Sequence, residues 1–340
     1  MTNSERIVIK NVYYMLAYAF RSLNSEQFKS VEAEEFDHIH DLFAAIMSKG
    51  IARQLKQGLY REYVVHNDDL ATLRGKIDLP GTTKLRLAQR RQLACEYDEL
   101  AENNQLNQIV KSTALLLLRH GDVKAAHRAA LKKLLLFFSN VDEIELTSVR
   151  WSSIRFARNN QSYRILVSIC QLVVEGMLIS NTSGEHKLMS FIDDQEMSRL
   201  YEKFILEFYR EHWADLKPRA SRIEWAIEEG ERTMLPMMQS DITLMSGERL
   251  LIIDAKYYSK NLQVNYERQT VHSNNIYQVF TYVKNAEATN PDMHVAGMLL
   301  YAETDSEIQP DARWRIGGND FAVTTLDLRQ EFAGIAHKLD

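Results

Sequence analysis

Three ionisable residues raise the first chemical question: Asp241, Asp254 and Lys256, in the stretch Met238–Tyr258, MQSDITLMSGERLLIIDAKYY. Apolar runs on either side of Ser246-Gly247 predict two short strands joined by a turn. Asp241 falls on the first strand, and Asp254 and Lys256 near the end of the second. Side chains alternate faces along a strand, so Asp254 and Lys256 point one way while Ile253 and Ala255 point the other. The hairpin would bring Asp241 alongside them. Two carboxylates and an ammonium at the end of an apolar strand are costly to hold together unless something uses them. A hard divalent cation is one such use, because it takes oxygen ligands, and Mg²⁺ typically combines one or two carboxylates with substrate phosphate. The lysine could then orient or deprotonate a water, or stabilise charge on a scissile phosphate. The chemistry in view is metal-assisted hydrolysis of a phosphodiester.

The acid-x-Lys triplet is a weak signal by itself. It recurs at Asp122-Val123-Lys124 and Glu185-His186-Lys187, but neither copy follows an apolar strand. Only 254–256 follows Arg249-Leu250-Leu251-Ile252-Ile253 with an acid thirteen positions upstream. The bland alternative, a strand-end Asp–Lys pair of little energetic consequence, stays open at this point.

The elements that must position these residues read as a mixed α/β layer. Residues 196–213 form an amphipathic helix with Leu200, Tyr201, Phe204, Ile205, Phe208 and Tyr209 in its buried stripe. Glu202 and Glu207 ride on that helix, and either could reach a metal beside the sheet. Residues 222–228 read as a strand, followed by the hairpin and a helix over 274–284. Gln278 and Tyr282 lie four apart on that helix, hence on one face. Residues 294–301 read as a strand, and 313–326 as two more around Gly317-Gly318. Helix, three strands, helix, strand is a mixed sheet with helices packed on it.

The preceding half is mainly helical. Helices are expected over 11–20, 41–57, 98–120, 125–138 and 163–179. Asp37-His38-Ile39-His40-Asp41 contains metal-ligand residue types, but it reads better as the capped start of the second helix. Between them, residues 60–97 have strand texture, with Pro80-Gly81 as a turn signal. Arg74, Lys76, Lys84, Arg86, Arg90 and Arg91 make that insertion basic. They form either a surface for nucleic-acid phosphate or an acidic partner, or a solvated face. The polar break Asn181-Thr182-Ser183-Gly184 suggests a boundary near residue 185. This divides the chain into 1–185 and 186–340.

Bulk properties narrow the class. With 340 residues and 45% hydrophobic content, the chain is long and apolar enough for a packed core. A net charge of −5 does not advertise nucleic-acid binding by bulk attraction, so DNA contact must come from local basic patches or a partner. Two cysteines, Cys95 and Cys170, suit a reducing compartment better than a disulfide framework. No run has the length of a membrane span and no signal-peptide pattern opens the chain, so a cytoplasmic protein is expected. No G-x-x-x-x-G-K-[ST] loop is present, so the chain is not itself a P-loop motor.

The order acid, acid-x-Lys, then a helix with Gln-x-x-x-Tyr resembles the PD-(D/E)xK nuclease superfamily. The wider set resembles the McrC family, nuclease subunits of modified-cytosine-dependent restriction systems: Asn11-Val12-Tyr13-Tyr14-Met15-Leu16, Gly75-Lys76-Ile77, Tyr97-Asp98-Glu99-Leu100, Tyr201-Glu202-Lys203-Phe204, Ser240-Asp241-Ile242 and Ile253-Asp254-Ala255-Lys256-Tyr257-Tyr258. That resemblance implies an N-terminal partner-binding domain and a C-terminal endonuclease domain. It implies Mg²⁺, or Mn²⁺ in its place, held by Asp241, Asp254 and the Ala255 carbonyl. Lys256 would assist the attacking water, with Gln278 and Tyr282 in support. It also implies a hexameric McrB-like AAA+ ring that binds the GTP, a pore that receives the N-terminal region, and double-stranded DNA as substrate. Ser240 departs from the motif's proline. A non-catalytic activator of the ring and an autonomous nuclease are the alternatives.

Overall fold

The computed structural model describes residues 3–20, 31, 33–158, 160–183, 194–257, 262–265, 268–303 and 309–340. In chain order the helices are α1 (Asn3–Ala19), α2 (Ile39–Gln57), α3 (Leu79–Leu87), α4 (Gln105–His120), α5 (Ala125–Leu135), α6 (Tyr163–Ser183), α7 (Asp194–His212), α8 (Ser273–Thr289) and α9 (Phe332–Leu339). The strands are β1 (Glu62–Leu70), β2 (Lys76–Ile77), β3 (Leu93–Ala101), β4 (Arg222–Ile223), β5 (Met238–Gln239), β6 (Ile242–Ser246), β7 (Arg249–Lys256), β8 (Leu262–Asn265), β9 (Arg268–Val271), β10 (His294–Ala302), β11 (Ala312–Ile316) and β12 (Asn319–Leu326). Two compact units result: Phe43–Val174, and Met1–Leu42 together with Glu175–Asp340. The expected boundary at residue 185 lies outside the described residues, as do Gly184, the triplet at 185–187 and Tyr258. The helix α6 continues through Asn181-Thr182-Ser183, where a break was expected.

In the unit 43–174, β1, β3 and β2 form an antiparallel sheet in that order, with β1 and β3 paired from Glu62↔Ala101 to Leu70↔Leu93. The strand β3 therefore takes residues 98–101 from the expected helix, which starts instead at Gln105. Asn104 caps it by accepting from the Asn107 backbone N–H. Within the strand texture expected over 60–97, β2 covers only Lys76–Ile77, because Asp78 opens a helix. Pro80 sits in the first turn of α3, where its missing N–H leaves no intrahelical bond unmade. Gly75 has φ +67°, and a Cβ there would collide with the Glu96 carbonyl and Tyr97, so the Gly-Lys-Ile motif serves close strand approach. Asn107 ties the sheet root to α4. Its amide donates to the Tyr60 and Glu102 carbonyls at 2.8 and 2.7 Å, and its Oδ1 accepts from the Tyr163 hydroxyl at 2.6 Å.

The other unit is built on a five-stranded mixed sheet in the order β11-β12-β10-β7-β6. The strands β7, β10 and β12 are parallel, and β6 and β11 run antiparallel at the edges. The expected mixed α/β layer is present. The expected strand over 222–228 is only Arg222–Ile223, since β5 offers a ladder of just two residues. Beyond it, the Trp225 indole donates to the Pro236 carbonyl and Ala226 N–H to the Asn285 side chain. The hairpin turn is Gly247-Glu248, between the pair Ser246↔Arg249, one position later than expected. Gly247 alone has positive φ, +57°, as a two-residue turn with glycine first requires. Val279, Tyr282, Val283 and Ala286 of α8 pack on Ile252, Val295, Leu299, Tyr301, Phe321 and Val323 of the sheet.

Candidate active site

The strand β7 is paired with β6 only as far as Ile242↔Ile253, so its last residues have an open edge. Asp241, immediately before β6, fills that edge: its Oδ2 accepts a hydrogen bond from the Ala255 N–H at 2.9 Å. Asp254 is fully buried, and the Lys256 ammonium lies 2.8 Å from its Oδ2. The alternation expected along the strand thus holds, with Asp254 and Lys256 on one face. Both oxygens of Asp254 are shut off from solvent. Its partners are the ammonium and the Asp241 carboxyl.

Burial and mutual repulsion shape the charge. Burial, then Asp254, then Glu202 push the Asp241 carboxyl up to about 8, against the pull of Lys256 and the Ala255 N–H. Burial also raises Asp254, and the Lys256 ammonium opposes it only in part. Glu202 on α7 is raised chiefly by burial. The Ser198 hydroxyl, donating at 2.9 Å, and Lys256 offset this, while Asp254 adds to it. Carboxyls held in this condition are short of positive charge.

Of the two glutamates that helical spacing left open, Glu202 thus belongs electrostatically to the carboxylate group, whereas Glu207 pairs with Arg210 at 2.6 Å. Which of them turns to the sheet depends on how α7 docks. Gln278 donates to the Tyr282 hydroxyl at 2.9 Å. Tyr282 packs in the cluster containing Ile252, two residues before Asp254 and so on the same face of β7. Ser240 is buried, and its backbone N–H donates to the Ser221 carbonyl at 3.0 Å, a bond that proline could not make. Asp41 lies buried in the first turn of α2. Among the described residues, no three His, Cys, Asp or Glu side chains converge tightly enough to hold a metal ion by themselves.

The buried oxygens of Asp254 and the crowded carboxyls fit a divalent cation as missing counter-charge, with the strand backbone as a further source of oxygen. Sheet, flanking helices and an acid–acid–lysine cluster at one strand end define an α/β protein with a candidate phosphodiester-processing centre.

Comparison with known proteins then places the chain in a family. The description "McrBC 5-methylcytosine restriction system component" matches residues 2–302, and the chain belongs to that family. It is 27% identical over 337 residues to the type IV methyl-directed restriction enzyme EcoKMcrBC of Escherichia coli K12, covering 98% of this chain and 96% of the relative. Its fold is similar to that of a chain in the tetradecameric assembly of Thermococcus gammatolerans McrB AAA+ hexamers with bound McrC. The TM-score is 0.53 at 17% identity, covering 97% of this chain and 75% of that one. No described helix is long and apolar enough to cross a membrane.

Proposed function

We propose that the chain is the McrC-type subunit of a restriction complex, a PD-(D/E)xK endonuclease that cuts both strands of foreign, cytosine-modified DNA in the cytoplasm. The observation that carries this reading is the junction at the end of β7, where Asp241 reaches Ala255 and Lys256 reaches Asp254. Asp241, Asp254 and the Ala255 carbonyl would hold Mg²⁺, or Mn²⁺ in its place. In an extended strand, one residue's N–H and C=O leave on the same edge. The Ala255 carbonyl therefore faces the edge that Asp241 occupies. A bound ion would supply Lewis acidity toward the scissile phosphate. Lys256 would orient the attacking water and hold Asp254 ionised. Glu202 would add negative charge beside them, and Gln278 with Tyr282 would set the position of α8 against the site.

The partner in this reading is a hexameric McrB-like AAA+ ring, which binds and hydrolyses the GTP. Residues 1–185 supply docking to the ring pore and stimulation of its GTPase, and residues 186–340 supply cutting. Support comes from the family membership and from the relative's description as a methyl-directed restriction enzyme.

The test is a cleavage assay on methylated and unmethylated plasmid, with and without the ring protein and GTP. Cutting is expected only with methylated DNA, ring and GTP together. Asp254→Ala should abolish cutting and keep GTPase stimulation. If Asp254→Ala still cut, the site assignment would be wrong. Ring stimulation without any cutting would favour a non-catalytic activator, and metal-dependent cutting without the ring an autonomous nuclease.

A further inference from the structure

The basic run left between two readings gathers on α3 and the turn after it. Residues 70–92 carry six Lys and Arg against one Asp, in a chain of net charge −5. Arg74 is accounted for, since it lies over the Tyr97 ring at 4.0 Å and 3.6 Å from Glu99. Lys84, Arg86, Arg90 and Arg91 are all exposed, and the ion pairs of the described residues include none of them.

The backbone presents these cations at some cost. Gln89 adopts a left-handed φ of +57°, which costs a non-glycine residue about 1 kcal/mol. That conformation lets Arg90 N–H bond back to the Leu85 carbonyl at 2.9 Å, so the chain reverses and keeps Arg90 and Arg91 at the helix end that carries Arg86. Leu85 is buried, and Leu87, two residues on and so on the opposite side of the helix, is 81% exposed.

A helix C-terminus favours one or two nearby cations, but Lys84, Arg86, Arg90 and Arg91 put four exposed cations within eight residues, with no ion-paired carboxylate among the described residues to offset them. A duplex supplies a regular array of negative charge. An exposed leucine among cations suits a side chain that enters a DNA groove against the base steps. We infer that Lys84, Arg86, Arg90 and Arg91, with Leu87, form a contact site for the sugar-phosphate backbone of duplex DNA. This site is distinct in residues from the candidate active site, and it does not depend on the nuclease reading.

The test is fluorescence anisotropy of a labelled duplex titrated with the full chain in EDTA, over a range of salt concentrations. Arg86→Glu with Arg90→Glu should weaken binding at least ~10-fold and lower the slope of log affinity against log salt by roughly 2, about one per lost phosphate contact. Lys132→Glu with Lys133→Glu makes the same net-charge change at exposed lysines of α5 and should cost less than ~3-fold. Should the first variant unfold, Arg86→Gln with Arg90→Gln replaces it. The inference is overturned if the parent chain does not bind the duplex, or if both charge reversals lose equally. It is also overturned if the α3 variant keeps DNA affinity but loses the ring protein, which would make this a protein-docking surface.

Discussion

The Asp241 carboxylate accepts a hydrogen bond from the Ala255 backbone at 2.9 Å, closing the edge of β7 where its ladder with β6 ends. That bond fixes the spacing between the two acidic strand ends. It also holds the half-buried Asp241 beside the fully buried Asp254, and the consequence can be measured as stability.

With its carboxyl raised from 3.8 to about 8, Asp241 binds a proton more tightly in the folded chain than in the unfolded one. Its contribution is therefore present below the unfolded value and lost as pH rises through the folded value. In EDTA, stability should fall with rising pH across this window, by at most ~1.4 kcal/mol per pH unit from this group. Asp241→Asn, which can still accept from Ala255, should flatten the profile. Denaturant melts at several pH values check this, and an unchanged profile in the variant would remove Asp241 as its source.

Supplying the missing counter-charge should reverse the penalty. Mg²⁺ at a hundredfold excess over its Kd should stabilise the protein by ~2.7 kcal/mol near pH 8. Asp254→Asn should lose most of that gain, and EDTA should abolish it in the parent. Thermal melts read this without any cleavage assay. An equal response in the variant would exclude Asp254 from the ion's ligands.

Gly297 on β10 is what lets α8 approach the sheet. A Cβ there would stand 2.5 Å from Val279, 2.9 Å from Val283 and 3.0 Å from Phe321. Gly297→Ala should cost about 1–3 kcal/mol by overpacking. Because Gly297 registers with Ile252, the same change should push Gln278 and Tyr282 away from the Asp254 face and lower cleavage further than unfolding explains. Urea titration alongside activity at fixed folded fraction separates the two effects.

Asn11 on α1 donates to the carbonyls of Leu328 and Gln330, both at 2.8 Å. Asn11→Ala leaves both carbonyls without this donor and should cost about 2 kcal/mol or more. A fragment of residues 186–340 lacks α1 altogether and should show no cooperative melt. A sharp transition in that fragment would show that α1 is dispensable.

Local patterning made a good part of this legible. Apolar runs around Gly247 specified the hairpin, because glycine accepts the left-handed φ of the turn at low cost. Period-two alternation assigned Asp254 and Lys256 to one face, since strand geometry leaves no other choice. Pro80-Gly81 misled, because proline suits a helix's first turn as well as a loop, and only tertiary contact decides between them: Thr82 and Leu85 are buried, and the Thr82 hydroxyl accepts from the Ala94 N–H of β3.

The sequence by itself determined which residues could share chemistry: two acids and a lysine at a strand end, with a Gln-x-x-x-Tyr helix to follow. Their type and local spacing are properties of neighbours along the chain. Only the tertiary structure decided that Glu202 rather than Glu207 joins them, that α1 belongs with the distant C-terminal residues, and that Asp241 caps β7 at Ala255. Those outcomes depend on the rotation of one packed helix and on contacts across up to 319 residues of separation, which no short-range pattern encodes.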